Sequence, residues 1–135
     1  MLCTSARLKK RYRRFSGNRK AEQGSIQGQY FYNYPSRGLQ VDFRKRGGKT
    51  KYIFYFGEGV GVRGNRQADV MTDVGIKPGD TRERVLKLHG DPHKKGAPVT
   101  LSDGTRLGEW FRYRSGINFQ FGQDGRVDMI TITYN

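Results

Sequence analysis

A chain that carries YFYNYPSRGLQVDFRKRGGKTKYIFY near its middle and WFRYRSGINFQFGQDGRVDMITIT near its carboxyl end is committed to building two similar β units. Both stretches alternate with period two, the mark of a strand with one face buried. In the first, Leu39, Val41 and Phe43 alternate with Gln40 and Asp42. In the second, Ile117, Phe119 and Phe121 alternate with Asn118 and Gln120. Each is cut by turn residues, PSRG and RKRGGK in one, RSG and GQDGR in the other, and Asp124-Gly125 is a strong tight-hairpin signal. Each therefore reads as a three-stranded antiparallel meander.

The overlay extends further. Gly116 falls on Gly38, Ile117 on Leu39, Phe119 on Val41 and Phe121 on Phe43. With one residue fewer in the hairpin, Ile130 and Ile132 fall on Ile53 and Tyr55. Upstream of the second meander, GIKPGDTRERVLKLHGDP predicts a helix over 81–89, with Asp80 as N-cap, Glu83 three residues later, an apolar side of Val85, Leu86 and Leu88, and Gly90 and Pro92 as terminators. Upstream of the first, Leu8, Tyr12 and Phe15 share one face of a short helix that Gly17 stops, and Tyr12, Phe15 and Gly17 fall under Val85, Leu88 and Gly90. The expected architecture is α+β, two helix-meander repeats forming one six-stranded antiparallel sheet with both helices on one side, because a single meander with one helix cannot bury its own faces. The organisation reads as a basic arm with a short helix (1–24), a first meander (25–57), a linker rich in glycine (58–74) and a second repeat (75–135). HKKGAPVTLSDGTRLG reads as a polar loop.

At 135 residues there is room for one domain or two fused halves. The hydrophobic share of 34% is low, and the 13% of aromatic residues offsets it, since each buried ring removes roughly 150 to 250 Å² from water. The net charge of +14 and pI near 10.3 point toward an acidic partner. Half of that charge sits in residues 1–24, where Arg7, Lys9, Lys10, Arg11, Arg13, Arg14, Arg19 and Lys20 face Glu22 alone. Such a segment can track phosphates, or form the solvated face of a helix packed on the sheet. Cys3 is the one cysteine, so no intrachain disulfide forms. No apolar run approaches the roughly 18 residues of a membrane span, and the first residues lack the apolar segment of a secretory leader. The expectation is a cytoplasmic start for the chain as written, with export if a signal lies upstream of it.

Catalytic chemistry finds few footholds. His89, Asp91 and His93 in HGDPHKK have a ligand-like spacing, but Gly90 and Pro92 break the helix that would align them, so no metal is expected. GEGVGVRG lacks the Gly-Lys-Ser/Thr ending of a phosphate loop, no serine occupies a strand-to-helix elbow, and the carboxylates are scattered. The expectation is a protein that is not an enzyme and takes no cofactor.

GIKPGDTRERVLKLHGDP, WFRYRSGINFQF and GRVDMITI together resemble the unit of the β-lactamase-inhibitor-protein-like fold, to which the small lipoprotein of the outer-membrane barrel-assembly machinery is also similar. The likeness covers residues 75–134 well and residues 8–56 less closely. It implies a binding or scaffolding role, because tandem members of that fold bind another protein across an aromatic-rich sheet. The chain departs from that pattern in its basic first helix, its missing export signal and a short amino-terminal repeat.

The reading that combines these points is a non-enzymatic protein-binding module using the sheet face away from the helices. Residues outside the core register include Phe31, Asn33, Gln40, Asp42, Arg112, Asn118 and Gln120. In YFYNY and WFRY both registers are apolar, so the aromatic candidates are Tyr30, Tyr32, Tyr34, Trp110 and Tyr113, with Arg112 beside them, and core packing is the competing role for each. The partner expected is another protein. The alternative is a nucleic-acid-binding protein, or one attached to an anionic surface, that uses Lys9, Lys10, Arg11, Arg13, Arg14, Arg19 and Lys20.

Overall fold

A computed structural model describes residues 22–26, 29–44, 49–60, 66–104 and 106–134. The described residues form ten strands: β1 (Glu22–Ile26), β2 (Gln29–Tyr34), β3 (Leu39–Phe43), β4 (Thr50–Phe56), β5 (Lys94–Gly96), β6 (Val99–Thr100), β7 (Arg106–Leu107), β8 (Trp110–Arg112), β9 (Ile117–Phe121) and β10 (Val127–Thr133). Among the described residues there is one α-helix, α1 (Arg82–His89). Eight strands form one antiparallel sheet in the order β1-β2-β3-β4-β10-β9-β8-β5, and β6 and β7 make a separate hairpin.

This corrects the expected α+β architecture of two helix-meander repeats. The described residues are mainly antiparallel β, with eight strands in the sheet instead of six and a single α-helix. The proposed first helix, over residues 8–15, lies outside the described residues. Two additions were missed. EQGSI pairs with β2 as an edge strand, and the stretch read as a polar loop supplies β5 at the other edge and then the β6-β7 hairpin. Neither has the apolar alternation that marks a half-buried strand. Edge strands pair on one side only and need little of it.

The two meanders do meet in one sheet. β4 and β10 pair with Ile130 opposite Tyr55, Thr131 opposite Phe54 and Ile132 opposite Ile53. Ile130 and Ile132 are the residues that overlay Ile53 and Tyr55 in sequence, and here each meets the other's counterpart. That crosswise pairing is what a local two-fold axis between Phe54 and Thr131 demands.

One face of the sheet is the core. Leu39, Val41, Ile53, Tyr55, Ile130, Ile132, Ile117, Phe119, Phe121 and Phe111 are all at most 2% exposed. Fully burying such a side chain contributes roughly 1.5 to 3 kcal/mol. Phe111 and Phe121 meet edge to face at 4.8 Å. Helix α1 lies over this face, burying Val85 and packing Leu86 and Leu88 against the same cluster. Its N-cap is Thr81, whose Oγ1 accepts the Arg84 amide at 3.2 Å, one residue after the Asp80 that the sequence suggested. Asp80 instead accepts the Lys77 amide at 3.0 Å and lies 3.6 Å from the Arg84 guanidinium.

The segment before α1 also enters the core through Ala68, Val70 and Ile76. The Ala68 amide donates to the Phe56 carbonyl at 2.8 Å, which ties this segment to the end of β4. At residues 72–76 a tight turn forms in which Thr72 Oγ1 accepts the Ile76 amide at 3.0 Å.

Candidate interaction surface

Directly opposed residues of an antiparallel sheet share a face, so the register assigns the second face row by row. One row runs Phe56, Met129, Gln120, Trp110, Gly96. The next runs Asn33, Gln40, Phe54, Thr131, Asn118, Arg112, Lys94. A third runs Phe31, Asp42, Tyr52, Thr133. Aromatic and polar side chains are therefore interleaved across the sheet.

The aromatic part is a column along β4. Tyr52 and Phe54 lie 5.9 Å apart, Phe54 and Phe56 are stacked at 6.3 Å with planes 11° apart, and Lys51 Nζ sits 5.2 Å from the Tyr52 ring centre. The face is shielded in part: Asn33, Asp42, Phe56 and Thr131 are buried, and Phe31, Tyr52, Phe54, Trp110 and Met129 are half-buried. Gln40 Nε2 donates to Asp42 Oδ1 at 2.8 Å. Burial pushes the Asp42 carboxyl above its ordinary range, and the Gln40 bond pulls it partly back. Asn118 Nδ2 lies 3.5 Å from Thr133 Oγ1, while the buried Oδ1 atoms of Asn33 and Asn118 have no donor among the described residues.

Toward the β8 end the face dips into a shallow groove of about 200 Å³ between Trp110, Arg112, Asn118, Gln120, Met129 and Thr131. Trp110 lies across Gly96, where any Cβ would run into the indole. The Arg112 guanidinium is 5.2 Å from the same ring, a cation–π distance. A larger cleft of about 690 Å³ opens between the β6-β7 hairpin and the β9-β10 turn. Its one carboxylate, Glu109, is held by Arg82 at 2.5 and 3.2 Å.

The sequence candidates divide between the two faces. Trp110 and Arg112 lie on the second face. Tyr32 and Tyr34 are opposed to Val41 and Leu39, so they belong to the core row, and Tyr30, opposed to Phe43, shares their register. Tyr34 is buried and Tyr32 packs edge-on against Phe43 at 5.5 Å. Tyr113 is also buried; its hydroxyl donates to the Gly90 carbonyl at 2.8 Å, and desolvation first, then Asp91, pushes its pKa to about 12. The seven basic residues of the nucleic-acid alternative, Lys9 to Lys20, lie outside the described residues.

The reading missed Tyr52, Phe54, Phe56 and Met129. TKYIFYF is apolar in both registers, so its own pattern is silent. The overlay with MITIT held the answer: Thr131 and Thr133 are polar, which marks the register of Phe54 as outward.

The two histidines are separated. His89 ends α1 and packs on Phe119 at 5.0 Å and Tyr113 at 5.5 Å, with Nε2 3.1 Å from Thr72 Oγ1. His93 is exposed beyond Pro92. Among the described residues no three His, Cys, Asp or Glu side chains gather as a metal would require. No described helix is long and apolar enough to cross a membrane. Comparison with protein-family models, curated proteins and solved structures returned no match.

Proposed function

We propose that this chain is a non-enzymatic protein-interaction module whose contact surface is the second face of the sheet. The observation that carries the reading is the set of aromatic side chains on that face, Phe31, Tyr52, Phe54 and Trp110, half-buried with Met129 among them, and Phe56 buried beside them. A sheet face left to water reads polar between its core-facing residues. Aromatic rings and Met set among polar groups are instead the composition of contact surfaces, because they supply large area with few rotatable bonds. The resemblance drawn on residues 75–134 points the same way.

Partner capture from the native source tests the reading. Phe54→Ser combined with Tyr52→Ser should abolish capture of a specific protein while the far-ultraviolet circular dichroism is unchanged. Neutralising Lys9, Lys10, Arg11, Arg13, Arg14, Arg19 and Lys20 to Gln should leave that capture intact. If the face variant retains the protein partner, and the charge variant loses binding to mixed DNA or RNA at moderate salt, the module is a nucleic-acid binder instead.

A further inference from the structure

At the β5 edge of the sheet the second face ends in a basic corner. Lys94 is opposed to Arg112, and Arg114 lies two residues on, in the turn that leads to β9. Lys94, Lys95, Arg112 and Arg114 are all exposed. Among the described residues none of them has a carboxylate within 4 Å, whereas Arg82 and Arg84 are paired with Glu109 and Asp80. The neighbouring His93 imidazole is held below its ordinary pKa, by desolvation and by the charges of Arg114, Lys94 and Arg112. Lys94, Arg112 and Arg114 thus gather their charges around His93, which costs stability through self-repulsion. Among the described residues β5 is the last strand of the sheet, and none of them forms a strand on the other side of its backbone.

Lysines on an edge strand are a common guard against unwanted pairing, and Lys94 and Lys95 alone would need no other role. Arg112 lies on β8, on the inner side of that edge where no guard is needed, and adjoins the groove with Asn118, whose Oδ1 has no donor among the described residues.

We propose that the β5 edge and its basic corner dock an extended acidic peptide segment of the partner, which adds beside β5 and sets its carboxylates against Lys94, Arg112 and Arg114. The proposal rests on the protein-binding reading of the second face and names the chemistry of the segment that reaches its rim. Strand addition supplies main-chain hydrogen bonds, and alternate side chains of the added strand point to the charged face. A peptide is favoured over single-stranded nucleic acid because the indole that would stack a base is already engaged by Gly96 and by the Arg112 guanidinium.

Trp110 is the one tryptophan in the chain, so its fluorescence reports on this corner without a label. The full chain is titrated with an eight-residue peptide of alternating Glu and Thr, with the Lys-Thr counterpart and with an oligo-dT of similar charge. The acidic peptide should shift Trp110 emission saturably, weaken with added salt, and lose about tenfold in affinity in the variant K94E/R112E/R114E. The charge-matched variant R66E/K77E/K87E, altered at exposed positions elsewhere, should lose less than about threefold, the part due to net charge alone. Equal losses in the two variants, an emission that does not move, or tighter binding of oligo-dT with the same dependence on the corner would each overturn the proposal. Partner capture separates it from the broader reading: if Y52S/F54S abolishes capture and K94E/R112E/R114E does not, the corner fails as a docking site while the face stands.

Discussion

His89 and Asp42 are two partly buried ionisable groups whose preferences oppose one another. Desolvation against Phe119 and Tyr113 holds the His89 pKa below its ordinary 6.5, with Asp73 partly opposing the shift. The unfolded chain therefore takes up the proton first, so the stability contributed by neutral His89 is present above about pH 6.5 and is lost as the pH falls through the folded value. Urea unfolding at pH 7.5 and pH 5.0 should show the wild type weakened at the lower pH, and His89→Gln should reduce that difference. Asp42 has the reverse sign. Its raised pKa means that the folded chain prefers the protonated form, and this contribution disappears as the pH rises above the folded value. Asp42→Asn keeps an acceptor for Gln40 without a charge to desolvate, so the melting temperature at pH 7 should rise. A fall would show that the carboxylate has a stabilising partner.

Single elements depend on a few local contacts that substitution can test. The turn between β2 and β3 is one turn of 3-10 helix (Pro35–Arg37) closed by Gly38 at φ 61°, with its amide donating to Pro35 at 3.1 Å. A Cβ there would meet the Arg66 carbonyl and lie 2.8 Å from the Ala68 nitrogen. Gly38→Ala should therefore cost more than the roughly 1 kcal/mol of left-handed strain alone, because it displaces the segment that buries Ala68 and Val70. Thr81→Ala removes the acceptor for the Arg84 amide and should cost about 1 kcal/mol, read as a shift in the urea midpoint. The sequence placed α1 and the six meander strands close to where they form, since a capped amphipathic helix and strict alternation are local signals. It did not show β1, β5 or the β6-β7 hairpin, whose pairing comes from neighbours and not from their own side chains.

At the scale of the molecule the seam between β4 and β10 joins the two meanders, so its residues belong to both. Ile132→Ala should lower stability by roughly 2 to 5 kcal/mol, with a single unfolding transition reported alike by Trp110 fluorescence, which senses the second half, and by circular dichroism of the whole sheet. Two separated transitions would mean that the halves fold independently. The chain's own residues determined the alternation, the turns, α1 and the likeness of the two meanders, because each depends on side chains a few positions apart. They also marked Asn33, Gln40, Asn118 and Gln120 as outward, since polar groups in alternating strands have nowhere else to go. Only the tertiary structure decided which tyrosines of YFYNY and WFRY are core and that Trp110 shares the second face with Arg112. In strands apolar in both registers the burial gain is nearly equal either way, and the choice falls to the strands on each side.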